Sequence, residues 1–245
     1  MLGTAWAPGL HVFLLAAATT STPSATKLAT DRDSTEAARV WVEAGTDVPV
    51  LVGGRVEVEA WHRLRAWTSL GVLPDAYVEL IDGVAQELGG YNEETSDLVV
   101  GSLQSSLVWR IHLGWRPFRK LGFGIDAGYT LATLGGATRG SEILAAALGR
   151  PVPDGIGNTW TLDSTLHLVG FETSWRFPLF DRFELRTALG FVGTVAASTQ
   201  ATPPGTSSVL AERFSEDLES YLDGIYTSYV FTPYGSVGVG YRFGP

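Results

Sequence analysis

The fold is decided by the last strand-like stretch of the chain, Tyr234-Gly235-Ser236-Val237-Gly238-Val239-Gly240-Tyr241-Arg242-Phe243. Successive side chains of an extended strand point to opposite faces. One face of this stretch therefore carries valines and aromatic rings, and the other carries mostly small or polar side chains. Such a strand suits a wall with hydrocarbon on one side, a packed polar interior on the other, and an aromatic girdle where membrane meets water.

The composition of the 245-residue chain is apolar for a protein with a net charge of -9. Hydrophobic residues make up 45% and charged residues only 18%. Beyond the N-terminal region, however, no stretch offers the roughly 18 consecutive apolar residues of a membrane-spanning helix. If the chain enters lipid, it must therefore form a closed barrel, the other fold that satisfies its backbone hydrogen bonds there.

Residue counts and missing motifs exclude several kinds of chemistry and ligand for this protein. The chain has no cysteine, which excludes disulfides, thiol catalysis and thiolate metal sites. Lys27 and Lys120 are its only lysines, so arginine carries most of the positive charge, and its rigid fork suits paired or buried ions. We find no phosphate loop, dinucleotide fingerprint or metal-ligand spacing and predict no cofactor and no metal. The acidic net charge argues against nucleic acid as a partner.

Residues 1–25 are predicted to be an export signal, because an apolar core at residues 9–18 is followed by small residues suited to cleavage near Ala25. No lysine or arginine precedes the core, so the basic start of such a signal is missing, and an apolar N-terminal tail is the alternative. Residues 26–36 are predicted to be a flexible lead-in. Residues 37–245 are predicted to form one domain.

This domain contains about eight strand-like segments joined by two kinds of connection. The connections near residues 61, 119 and 180 are tight, whereas those at about 75–106, 137–157 and 199–224 are long and partly helical. The first strand is predicted at residues 39–44, ended by the turn signal Gly45-Thr46-Asp47. In the strand at 159–177 the apolar parity slips near Val169, which indicates a bulge.

The tight turns place opposite charges across from each other on the polar face. Folding the chain about residue 61 or residue 180 predicts three ion pairs inside the barrel: Glu57–Arg65, Glu59–Arg63 and Arg176–Glu184. Each such cross-strand pair stabilises a sheet by ~0.2–1 kcal/mol. Because an eight-stranded barrel has an interior just large enough for its own side chains, we expect a polar plug rather than a channel.

Short turns alternating with long external loops are the organisation of an outer-membrane barrel. The chain resembles the small OmpA/OmpX-like barrels, and its last strand resembles their C-terminal assembly signal in Ser236, Gly238, Tyr241 and Phe243. It runs on through Gly244 and Pro245, whereas members of this class usually end on the aromatic residue. The resemblance implies an antiparallel up-and-down transmembrane β-barrel of about eight strands with helical extracellular loops, located in the bacterial outer membrane and inserted by the barrel assembly machinery.

A soluble lipocalin-like barrel is the alternative, because it shows the same alternation with its faces reversed. The export signal, the last strand and the scarcity of lysine favour the membrane. So does the clustering of aromatic residues near the tight turns: Trp115, Phe123, Trp175, Phe177, Phe183 and Phe243.

His112 and Asp126 are the candidates for catalysis. Folded about residue 119, they lie opposite each other, close enough for the carboxylate to orient the imidazole. They also lie near a tight turn, and no serine is placed to complete a nucleophilic set. We therefore expect a hydrogen bond inside a packed lumen and no enzyme. A lipid-modifying hydrolase or acyltransferase and a narrow pore are the alternatives.

The long connections are acidic, and residues 75–106 contain seven acidic residues and no basic one. Their apolar positions suit a helical cap over the barrel mouth. Its acidic surface would contact lipopolysaccharide, divalent cations or a surface partner. We therefore expect a structural or surface-interaction role in the cell envelope.

Overall fold

The computed structural model describes residues 38–60, 63–87, 105–118, 121–139, 159–203 and 209–244. The predicted export signal, the lead-in at 26–36 and most of the connection at 137–157 lie outside the described residues. Neither described helix is long and apolar enough to cross a membrane.

Eight antiparallel strands close into a barrel, in which each strand pairs with its neighbours in sequence and the first pairs with the last. The strands are β1 (Arg39–Val48), β2 (Leu51–Glu59), β3 (Leu64–Val72), β4 (Ser105–Phe118), β5 (Phe123–Arg139), β6 (Thr159–Pro178), β7 (Phe183–Thr202) and β8 (Phe231–Phe243). Helix α1 (Asp75–Glu87) follows β3, and helix α2 (Val209–Tyr229) follows β7. The predicted eight-stranded up-and-down barrel is confirmed.

The strand register determines how wide the barrel is. Tracing paired residues around the wall from Arg39 leads through Glu59, Arg65, Gly114, Asp126, Glu172, Gly190 and Tyr234. Gly235, the next residue, pairs with Val48, so the trace returns to the first strand at position 49, ten residues beyond its start. A barrel of eight strands with this stagger encloses an interior that side chains fill.

The two ends of the barrel differ, and we name them by their connections. The turn end carries the connections at residues 60–63, 119–122 and 179–182, and the loop end carries the β1–β2 turn and the three long connections. Strands β1 to β3 have 10, 9 and 9 residues, whereas β5 to β7 have 17, 20 and 20. One side of the wall therefore extends well beyond the other at the loop end.

The first turn lies later than predicted. Strand β1 continues through Gly45 to Val48, and the chain reverses at Pro49 and Val50. Gly45 lies opposite Gly238 of β8, where a Cβ atom would come within 2.5 Å of a backbone carbonyl oxygen. The glycine is therefore required by the close approach of two strands and does not mark a turn.

The outward face of the barrel is apolar. Large apolar side chains with at least 40% exposure line the outside of β1 to β4 and β6 to β8, and Leu113 reaches 69%. At the turn end the band finishes in exposed aromatic residues such as Trp115, Phe183 and Phe243. A contiguous face of this kind would associate in water, whereas a lipid bilayer solvates it.

Along the extended side of the wall the pattern reverses towards the loop end. Trp160, Leu162, Leu166 and Leu168 of β6 face inward and are buried, although inward positions nearer the turn end are polar. Their outward neighbours, such as Asp163, are polar and exposed. This part of the wall therefore has water outside and apolar contacts inside, the arrangement of a soluble sheet.

The bulge predicted near Val169 is present at this level of the wall, but on the partner strand. Even-numbered residues of β6 face inward along its whole length, so its parity does not slip. The extra residue is in β7, where Val195 stands between the partners of Leu168 and His167. The apolar residues change face because the surroundings of the wall change, from lipid outside to a helix inside.

Replacing Leu113 by arginine tests the assignment of the outer surface. Leu113 lies between Trp109 and Trp115 on the outward face of β4, so the new charge would enter the middle of the bilayer. We expect the free energy of unfolding in phospholipid vesicles, measured with urea, to fall by about 2–4 kcal/mol.

Phe180→Arg, in an exposed turn at the membrane edge, is the control and should change that free energy by at most about 1 kcal/mol. If Leu113→Arg is as mild as the control, the outer band does not face lipid.

Candidate functional site

The interior of the barrel has two tiers. The charged tier occupies the half nearer the turn end, and the apolar tier occupies the half nearer the loop end. The charged tier comes from inward positions of all eight strands, and the apolar tier adds side chains of α1 and α2.

The charged tier is electrically balanced among the described residues. It contains six buried carboxylates and six buried guanidinium groups, each in a residue with at most 6% exposure. They are Glu43, Asp47, Glu57, Glu59, Asp126 and Glu172, and Arg55, Arg65, Arg110, Arg116, Arg176 and Arg186. Balance is needed because an unpaired buried ion costs several kcal/mol.

Glu57 of β2 is the most connected carboxylate. Its oxygens lie 3.1 Å from Arg55, 3.7 Å from Arg65, 3.5 Å from Arg116 and 2.8 Å from Arg176. These guanidinium groups come from β2, β3, β4 and β6. One side chain without solvent exposure therefore ties together strands from much of the barrel.

Glu172 of β6 forms a second centre of the network. It lies 3.1 Å from Arg55, 3.1 Å from Arg186 and 3.9 Å from Arg110. The hydroxyl of Tyr234 on β8 donates to it at 3.1 Å. Because Arg55 contacts both Glu57 and Glu172, the two centres form one network.

Aromatic rings fill the spaces between the ions. The Arg55 guanidinium stacks 3.6 Å from the ring centre of Trp67, and His112 stacks on Trp67 at 4.0 Å. Near the turn end, Arg176 lies 4.9 Å from the ring of Trp41, whose indole nitrogen donates to Glu184 at 2.9 Å. The rings supply favourable cation–π contacts and occupy volume that water would otherwise take.

The predicted ion pairs lie on the predicted face but in a shifted register. The structure pairs Glu59 with Arg65 and Arg176 with Arg186, so each hairpin is centred one residue later than the sequence suggested. The hydrogen bonds that close the two hairpins give the reason: Ala60 N–H donates to Leu64 O at 2.9 Å, and Leu179 N–H donates to Phe183 O at 2.9 Å.

Long side chains offset this shift for two of the three pairs. Arg65 lies 3.7 Å from Glu57, and Arg176 lies 3.6 Å from Glu184. The third pair changes partners. Glu59 lies 3.0 Å from Arg116, and Arg63 donates to the carbonyl of Pro117 at 2.6 Å. Arg63 therefore belongs to the turn and not to the interior.

His112 and Asp126 are not brought together as predicted. The register places His112 opposite Gly128 and Asp126 opposite Gly114. Asp126 binds Arg65, and neither ring nitrogen of His112 has a hydrogen-bond partner among the described residues. The one-residue error in the hairpin centre accounts for this difference. The carboxylate therefore does not orient the imidazole.

The four residues of the predicted assembly signal divide between the two faces of β8. Ser236 faces inward, where it donates to Asp47 and accepts from Arg186 at 2.7 Å. Gly238 also faces inward. Tyr241 and Phe243 face outward with ring centres 4.7 Å apart. Recognition of these residues by the assembly machinery stays a prediction.

Sequence reasoning missed three members of the charged tier, Trp41, Glu43 and Asp47, all of which lie on β1. The turn predicted at Gly45 shortened this strand and hid its alternation. Extended to Val48, β1 places Trp41, Glu43 and Asp47 on one face, so the parity of β1 was the available signal.

The apolar tier closes the interior at the loop end. Leu218, Leu222 and Tyr226 of α2 pack in one cluster with inward residues of the extended wall, including Leu162 and Leu166. Phe214 meets Trp160 edge-on at 5.5 Å. Val78 brings α1 into the same cluster. The helical cap expected from the sequence thus packs into the barrel mouth through both described helices.

A cavity of about 20 Å³ lies in the charged tier beside Glu43, Arg55, Ser69 and Arg186. That volume has room for about one water molecule. It is far smaller than the passage of a porin, so the interior beside these residues is filled.

No protein-family model matches the chain, and no curated protein sequence matches it. Solved structures with a similar fold include a major outer membrane protein of Thermus thermophilus, with 15% identity over 85% of this chain and 100% of that chain and a TM-score of 0.47. CarO2 and CarO of Acinetobacter baumannii share 12% and 11% identity over 84% of this chain and 98% and 97% of theirs, with TM-scores of 0.37 and 0.36. Similarity this low says nothing about function.

The outer surface and the interior of the barrel identify the class of protein. A closed barrel with an apolar outer band and a polar interior has the design of a barrel that spans an outer membrane. The protein is an outer-membrane β-barrel.

Glu57→Gln tests the charged tier. The substitution keeps the shape of the side chain but leaves four guanidinium groups around a neutral amide. We expect the free energy of unfolding in vesicles to fall by about 3–5 kcal/mol, as when one partner of a buried ion pair is removed.

Glu216→Gln on the exposed side of α2 is the matched control and should change stability by no more than about 0.5 kcal/mol. Equal, small effects of the two substitutions would show that the network does not hold the barrel together.

Proposed function

We propose that the protein is a non-conducting outer-membrane barrel with a structural or surface-interaction role, its turn end in the periplasm and its loop end at the cell surface. The observation that supports the proposal is that two groups of buried side chains fill the interior. A balanced ion network fills the half nearer the turn end, and an apolar cluster fills the half nearer the loop end. The likeness to OmpA/OmpX-like barrels, in the last strand and the alternation of connections, supports the orientation.

The same observation separates this role from the alternatives. A narrow pore needs a continuous hydrated path, whereas guanidinium groups, carboxylates and rings are in mutual contact around Glu57 and Glu172. A lipid-modifying enzyme of the predicted kind needs an oriented base, whereas His112 is fully buried and donates no hydrogen bond to Asp126. We therefore assign the protein no catalytic role.

The loop end is the surface left for interaction. On α2, Glu212, Glu216 and Asp217 are exposed, while the opposite side of the helix is buried in the barrel mouth. Lipopolysaccharide is itself anionic, so contact between it and this surface requires bridging divalent cations. The partners we propose are divalent cations, lipopolysaccharide through such cations, or a protein at the cell surface.

Conductance measurements test the closed interior. The full-length protein, folded and inserted into planar bilayers, is expected to give no stable channel, while a porin in the same bilayers conducts. A variant lacking residues 205–228 should also stay closed, because the charged tier remains. Steady openings of porin size from the unaltered protein would overturn the proposal.

Limited proteolysis tests the cation-dependent surface. We expect calcium to slow cleavage within residues 75–106 and 199–224 of the folded protein, because bridging cations hold acidic groups together. A chelator should restore the cleavage rate. Cleavage rates that are indifferent to calcium and chelator would contradict a role for divalent cations at the loop end.

A further inference from the structure

Charge is separated between the two ends of the barrel. The connections at the turn end, residues 60–63, 119–122 and 179–182, contain four basic residues and one acidic residue. At the loop end, residues 73–104 and 203–230 together contain twelve acidic residues and one basic residue. Because the charged tier between them is balanced, the positive charge of the turn end is not neutralised from within.

Arg182, in the β6–β7 turn, places part of this positive charge on the lipid side of the wall. Its guanidinium donates to the hydroxyl of Tyr241 at 3.3 Å, and Tyr241 faces outward from β8. Its backbone carbonyl accepts from the amide of Arg242 at 2.8 Å, which fixes the turn against β8. The guanidinium is therefore held at the outer edge of the rim.

Two neighbouring arginines differ in their charge balance. Arg242 lies 3.6 Å from Glu184 and donates to the carbonyl of Asp181 at 3.1 Å. Arg182 is exposed and has no carboxylate within ion-pair distance among the described residues. It is thus a cation with free N–H donors, next to a hydroxyl that is already oriented.

An aromatic surface lies beside this cation. Phe183 packs edge-on against Tyr241 at 5.3 Å, and Tyr241 packs against Phe243 at 4.7 Å. Phe180, in the same turn as Arg182, is 75% exposed. This arrangement suits a lipid. The guanidinium at the rim would contact the phosphate, and the rings, which continue into the apolar band, would contact an acyl chain along the wall.

We propose that Arg182 and Tyr241 bind the phosphate of an anionic glycerophospholipid in the leaflet at the turn end, with an acyl chain lying on Phe180, Phe183 and Phe243. An anionic lipid is favoured over a zwitterionic one because Arg182 lacks a carboxylate partner, whereas a zwitterionic headgroup carries its own cation. The proposal rests on the placement of the barrel in a membrane. It depends neither on the closed interior nor on the acidic loop end.

Native mass spectrometry of the full-length, folded protein in detergent tests this site. The probes are phosphatidylglycerol and phosphatidylcholine with the same acyl chains. We expect the protein to prefer phosphatidylglycerol and Arg182→Gln to weaken its binding about fivefold, as for one arginine at a membrane surface. Arg182→Lys should keep most of the affinity, and Tyr241→Phe should lose less than Arg182→Gln.

Arg213→Gln, an exposed arginine of α2 at the loop end, is the matched control and should bind phosphatidylglycerol like the unaltered protein. Folding of each variant is checked by the shift in gel mobility between heated and unheated samples. The proposal is overturned if Arg182→Gln binds phosphatidylglycerol unchanged, if Arg213→Gln weakens it equally, or if the two lipids bind alike. A conducting channel would refute the closed interior and leave this site standing.

Discussion

The rest of the structure depends on neutralising the charges inside the barrel, and the contact of Glu57 with four guanidinium groups shows how this is done. An interior enclosed by eight strands is too narrow for hydrated ions, so every charge inside must be neutralised by another side chain. Six carboxylates and six guanidinium groups satisfy that condition. Among the described residues, arginine supplies every cation of the network, because one guanidinium can serve several carboxylates in fixed directions, as Arg55 does for Glu57 and Glu172.

A second constraint comes from the surroundings of the wall, which change along its length. In the apolar band, strands carry apolar groups outward and ions inward. Beyond the level of His167, β6 carries Thr165 and Asp163 outward and Leu166 and Leu162 inward. One continuous strand therefore has the pattern of a membrane barrel nearer the turn end and the pattern of a soluble sheet nearer the loop end. The extra residue at Val195 lies at this level of β7, where the bulge lets the partner strand follow the change.

The alternation of side chains between the two faces of a strand explains how much of the interior could be predicted from the sequence. A hairpin centred one residue too early shifts each cross-strand partner by two positions, and a shift of two keeps every side chain on its own face. The polar face was therefore predicted correctly for Glu57, Arg65 and Asp126, although their partners were not. Pairing depends on turn geometry, which residues 60–63 do not reveal through composition.

The helices show where such inference ends. A stripe such as Leu218, Leu222 and Tyr226 indicates that one side of α2 is buried, but the stripe does not identify the surface that it meets. That surface is the inverted part of β6 and β7, whose inward apolar residues looked like a slip in register. Each feature explains the other: the wall turns apolar inside because the helix covers it, and the helix lies in the mouth because the wall offers an apolar surface. Because both tiers fill the interior, the interactions we propose lie at the rims, where the loop end is acidic and the turn end is basic.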